Sequence, residues 1–210
     1  MTFMHNDCIT RLGWLLVGFF VFSLTQKCVE GVVRVGLGPC QDRALMDKFN
    51  LEMYLGRWYQ QRILSNLHLT RLVASQIRCP QQRLSYTNST DTVNVFNSVL
   101  INVGFSEISY SVKGTATPDL GEVGKLQVML EILPGIFVKQ PLYVLSTDYD
   151  SYSIAWNCRE VLGGAINIQS GFVLSRHGHV DEKYNANIKE EFDKLGFETE
   201  TFVQMNQHGC

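Results

Sequence analysis

The chain of 210 residues is 45% hydrophobic and 18% charged, with 18 Lys and Arg against 20 Asp and Glu and a formal net charge of -2. That length suffices for one domain with its own core. The missing basic stripe excludes a nucleic-acid binder, and the lack of low-complexity runs, heptads and long-period repeats excludes disorder and solenoids.

In chain order, residues 1–31 separate first. Arg11 precedes Leu12 to Leu24, a run without a charge, and Thr25, Gln26 and Lys27 follow. A helix needs about 20 apolar residues to span a bilayer, so this shorter run reads as the core of a secretory signal peptide, with cleavage between Thr25 and Gly31. Residues 32–210 are then a single domain, expected to be soluble, secreted and extracellular. Of the six cysteines, Cys8 and Cys28 lie in or beside the leader, leaving Cys40, Cys79, Cys158 and Cys210. Four widely spaced cysteines suit two long-range disulfides in an oxidising compartment, and the short ligand spacings of a zinc site are missing. Asn88-Ser89-Thr90 is the one N-glycosylation sequon.

From Arg57 onward the dominant pattern is period-two alternation. Runs at 57–64, 77–87, 91–102, 107–113, 125–131, 140–147, 152–158 and 167–176 predict eight strands. Within them Val93, Val95, Val99 and Ile101 share a face interrupted by Asn97; Ile108, Tyr110 and Val112 share another, and Leu126, Val128 and Leu130 a third. Hairpin-length connections point to an antiparallel meander, either a sandwich or a barrel closed to remove both edges. The longer connection 65–75 suits a lid over an opening. After the strands the period changes. Asp181 predicts an N-cap, Tyr184, Ile188, Phe192 and Leu195 form one apolar stripe, and Gly196 a stop. Residues 198–204 alternate again and suggest a ninth strand.

Three motifs then fall in order. Gly56-Arg57-Trp58 opens the first strand, Thr147-Asp148-Tyr149 separates the sixth and seventh, and Arg176 ends the eighth before the helix. Together these resemble the lipocalin family, with Tyr54 to Tyr59, Gly114 to Pro118 and Leu145 to Asp150 nearest its apolipoprotein D and Lazarillo-type members. The resemblance implies an all-β fold, an eight-stranded antiparallel up-and-down β-barrel with one C-terminal α-helix packed outside. It also implies a cavity wide enough for one small molecule. Trp58 would close the barrel base with Arg176 across its ring, and Thr147 and Asp148 would organise the adjacent turn. Cys40 would pair with Cys158, and Cys79 with Cys210.

Parity counted from Trp58 and Arg176 yields a mostly apolar cavity face that includes Gln60, Arg62, Val95, Asn97, Tyr110, Val128 and Phe172. Asn97 and Phe172 match positions that contact ligand in apolipoprotein D-like proteins. Arg62, Val95, Asn97, Tyr110, Val128 and Phe172 are the candidate ligand-binding residues. Arg62 near the mouth suits a ligand carboxylate; a bulge in the strand would instead put it in solvent. A second feature is the hairpin 130–138, whose tip residues Ile132, Leu133, Ile136 and Phe137 form an apolar patch suited to a lipid surface or lipoprotein.

Catalytic fingerprints are missing, His177 and His179 read as surface residues, and no cofactor or metal is expected. The function expected is a secreted carrier of one small hydrophobic ligand (a retinoid, fatty acid, sterol-like molecule or linear tetrapyrrole). The alternatives are a protein-interaction module or inhibitor using the mouth loops, and haem or redox work at the mouth. Met129 offers an oxidisable thioether for the latter.

Overall fold

The computed structural model describes residues 36–41, 45–67, 70, 73–88, 92–197 and 202–210. The leader-like segment 1–31 lies outside these residues, as does His68. No helix among the described residues is long and apolar enough to cross a membrane.

Eight long strands follow one another antiparallel: β2 (Gly56–Ser65), β3 (Ile77–Tyr86), β4 (Val93–Asn102), β5 (Glu107–Pro118), β6 (Lys125–Leu133), β7 (Ile136–Thr147), β8 (Tyr152–Val161) and β9 (Ile166–Ser175). Each pairs with the next, and β9 pairs back with β2 from Tyr59–Ser175 to Ser65–Ser170, so the sheet closes into a barrel. The short β1 (Gly36–Leu37) lies along β9, and β10 (Val203–Gln204) along β2. The expected ninth strand is thus confined to two residues among those described; 198–201 lie outside.

Turn chemistry matches the pairing. Leu133 faces Ile136 across a two-residue turn, where Pro134 presets φ and Gly135 takes a φ of +76°. One element escapes the alternation pattern: the single-turn α1 (Leu51–Tyr54), whose Asn50 side chain accepts the Met53 N–H.

After β9 a 3₁₀ turn at Glu182–Tyr184 leads into α2 (Asn185–Lys194), and Gly196 ends it with a φ of +72°. Asp181 flanks the 3₁₀ turn and makes no side-chain cap; its carboxylate lies 3.4 Å from both His179 Nε2 and Lys183 Nζ. The stripe itself buries as expected. Ile188, Phe192 and Leu195 pack on the outer barrel wall with Leu64, Leu145, Trp156 and Val173. Gly171 permits that approach, since a Cβ there would meet the Phe192 ring at 2.1 Å.

The β2–β3 seam is incomplete. β2 and β3 pair only from Gly56–Leu84 to Tyr59–Gln81, and beyond this the C-terminal tail fills the gap. Met205 N–H donates to Gln61 O and Cys79 N–H to Asn206 O, while Gln207 Nε2 donates to both Gln60 O and Pro80 O. Disulfides Cys79–Cys210 and Cys40–Cys158 hold the tail and the N-terminal arm, the same pairing the family resemblance implies.

Candidate ligand cavity

The barrel floor is built around Trp58, which is 0% exposed and donates its indole N–H to Tyr54 O at 2.9 Å. Arg176 places its guanidinium carbon 3.8 Å from the Trp58 ring centroid, a cation–π contact worth about 0.5–2 kcal/mol. The same guanidinium donates to the carbonyls of Tyr149, Arg57 and Met53 at 2.8–2.9 Å. It therefore ties three chain segments together beneath the indole, and its partial burial pulls its pKa below the ordinary arginine range.

Thr147 and Asp148 shape the turn between β7 and β8. Thr147 Oγ1 donates to Tyr152 O and accepts the Tyr149 N–H; Asp148 Oδ1 accepts the N–H groups of Ser151 and Tyr152. Asp148 Oδ2 accepts the Tyr184 hydroxyl at 2.7 Å. Burial alone pushes this carboxyl up, but the hydrogen bonds outweigh it and hold it below the usual carboxylate range. Tyr54, fully enclosed beside Ser153 Oγ, is pushed up to about 12 by burial and stays protonated.

Above the floor the interior opens into a chamber of about 240 Å³ whose walls include Val99, Val128, Leu130, Leu142, Phe172 and Leu174. Six amide residues join them from five strands: Gln60 on β2, Gln81 and Gln82 on β3, Asn97 on β4, Gln140 on β7 and Asn157 on β8. Gln82 and Asn97 are register partners, and Asn97 Oδ1 is buried without a hydrogen-bond partner. A second, more apolar chamber of about 350 Å³ shares Gln60, Pro80 and Val99 with the first. It lies under the β2–β3 connection, lined by Leu67, Thr70, Val73 and Ala74 from that connection and by Ile63, Ile77 and Met205.

Three of the residues singled out from the sequence, Asn97, Val128 and Phe172, meet in the first chamber. Val95 lies deeper, 2% exposed, in the packed cluster that contains Trp58. Tyr110 sits at the mouth, 41% exposed, its hydroxyl donating to Ile132 O where β5 and β6 have ceased to pair. Arg62 is a correction. The β2–β9 register shifts between Gln60 and Arg62, so the extra residue reverses parity. Arg62 then donates to Asn185 Oδ1 of α2, outside the barrel, and Ile63 takes the inward position. A carboxylate partner inside the cavity is thereby lost. Gln82, Gln140 and Asn157 were not singled out; the available signal was their in-register parity with Asn97, Val128 and Ser170.

The four connections at the open end present apolar side chains to solvent. Val73, Val103, Phe105 and Leu162 are exposed, and so are Leu133, Ile136 and Phe137 at 55%, 50% and 57%. Ile132, the fourth residue expected at the tip, is half-buried and packs against the inner core. Asn88 is exposed beside the β3–β4 connection at the opposite end.

Comparison with known proteins agrees with this architecture. The Lazarillo protein of Schistocerca americana is 23% identical over 171 residues, covering 80% of this chain and 74% of its own length. Apolipoprotein D of Mus musculus is 24% identical over 177 residues, covering 83% of this chain and 85% of that protein. Among solved structures, insecticyanin from the tobacco hornworm Manduca sexta superposes with a TM-score of 0.68 at 18% identity, covering 83% of this chain and 89% of that one. A profile of the Lipocalin / cytosolic fatty-acid binding protein family matches residues 55–209. The chain belongs to the lipocalin family, whose members bind small hydrophobic ligands.

Proposed function

We propose that this protein is a secreted, non-catalytic carrier that takes one small hydrophobic ligand into the paired chambers of its barrel. The observation that carries this reading is the chamber around Asn97, Val128 and Phe172, together with the apolar chamber that shares Gln60, Pro80 and Val99 with it. Transfer of apolar ligand surface into such a space is favourable by roughly 25 cal/mol per Å². Both disulfides suit an oxidising compartment, and exposed Asn88 is the proposed glycan site. Titration of the secreted, disulfide-bonded protein with retinol, arachidonic acid, progesterone and biliverdin tests the reading through quenching of Trp58. Saturable micromolar or tighter binding by one of them is expected. No binding by a folded sample would instead favour an interaction module.

The mouth supports a further part of the same reading, transient docking on a lipid surface. Leu133, Ile136 and Phe137 project together from one hairpin at the end where the cavity opens. Membrane contact there would hand an apolar ligand to the cavity without passage through water. In liposome flotation, Ile136→Ser with Phe137→Ser is expected to abolish co-flotation; undiminished co-flotation would remove docking and leave the carrier reading intact.

A further inference from the structure

Among the described residues, neither chamber is lined by a single ionisable side chain. Arg159, two residues beyond Asn157 on β8, is exposed and lines neither chamber, and three further cations are committed elsewhere. Arg62 bonds Asn185 on the outer wall; Arg78 pairs with Glu107 at 2.6 Å and donates to His208 O; Arg176 lies beneath the floor on three backbone carbonyls. Polarity inside comes instead from uncharged groups, the amides of Gln60, Gln81, Gln82, Asn97, Gln140 and Asn157 with Ser98. An amide donates and accepts without charge, so it matches hydroxyl, carbonyl and N–H groups. An ionised carboxylate placed among amides loses its water and gains no counter-charge, which strongly disfavours it. The shielded, unpartnered Asn97 Oδ1 adds a direction, because only a hydrogen-bond donor satisfies it.

We infer that the cavity selects an uncharged ligand with hydrogen-bonding groups, a donor among them, at one end and an apolar body at the other. The polar end occupies the amide-lined chamber, and the apolar body occupies the chamber lined by Leu67, Thr70, Val73 and Ala74. Alcohols and primary amides of lipid size fit this class, whereas fatty acids and retinoic acid do not. This inference rests on the carrier reading and narrows it.

The test compares ligands that share a skeleton and differ in head group: retinol with retinoic acid, and arachidonyl alcohol with arachidonic acid, each titrated at pH 7.4 against the full secreted protein. The neutral member of each pair is expected to bind at least tenfold tighter. An acid that binds as tightly as its alcohol overturns the inference while leaving the carrier reading standing; failure of all four to bind overturns the inference, and failure of progesterone and biliverdin as well overturns the carrier reading. Gln140→Lys then locates the effect, since a cation in the amide chamber is expected to cut the tenfold preference to threefold or less. A variant that keeps the native near-UV circular dichroism and the full preference would place the discrimination outside this chamber and contradict the assignment.

Discussion

At the closed end, Trp58 is fully buried, Arg176 spends its guanidinium on three carbonyls and an indole, and Thr147 and Asp148 satisfy the adjoining turn. At the open end, β5 and β6 part after Lys113–Glu131, β2 and β3 part after Tyr59–Gln81, and apolar side chains stand in solvent. Both disulfides lie toward this second end: Cys79 follows the β2–β3 connection and Cys158 precedes the β8–β9 connection. The difference is physical. A floor filled by side chains holds itself by packing and hydrogen bonds, whereas a hollow mouth has too few contacts and is held covalently. The emptiness that receives a ligand is the same emptiness that costs the mouth its cohesion.

Breaking the covalent hold has the largest expected effect. The Cys79–Cys210 bridge spans 131 residues, and its removal by Cys79→Ser with Cys210→Ser is expected to cost about 5 kcal/mol in urea unfolding. Trp58→Ala empties the centre of the floor and is expected to cost about 4 kcal/mol by the same measurement. Arg176→Met strands three carbonyls and removes the cation over the indole, with an expected loss of about 2–3 kcal/mol.

Asp148 gives the closed end a dependence on pH. Its folded pKa is depressed, so below about pH 4 the unfolded chain binds the proton more readily than the folded one. The stability it contributes is complete at neutral pH and is lost as pH falls through the folded value. Asp148→Asn should therefore be less stable than the parent at pH 7, with a gap that narrows below pH 4 in acid-unfolding curves; a constant gap would deny the carboxylate this role. The smallest effect is expected at the mouth. Ile136→Ser with Phe137→Ser should change stability by less than about 0.5 kcal/mol, because these side chains contribute little to the core.

The floor was legible in the sequence because its residues are bulky, few and tied to motif positions, and all eight strands were legible because their faces alternate. The cavity was legible only in part. Asn97, Val128 and Phe172 followed from parity, but the register shift after Gln60 moved Arg62 to the outer wall, and no residue type there marks an inserted position. A second shift, between Arg78 and Gln81, surrounds Cys79 with its φ of +52° and is equally silent. Gln82, Gln140 and Asn157 escaped notice for another reason. Alternation equates polar residues with solvent, and that equation fails where the interior is a cavity and not a packed core.

The hollow above Trp58 is proposed as a binding site for an uncharged, hydrophobic molecule. The most direct measurement is a parallel titration of the disulfide-bonded protein with retinol and retinoic acid, following tryptophan quenching. Saturable binding with retinol tighter by tenfold or more is the result predicted. Equal or tighter binding of the acid would contradict the neutral selection, and an absence of binding to either, with arachidonic acid, progesterone and biliverdin also failing, would contradict the carrier itself.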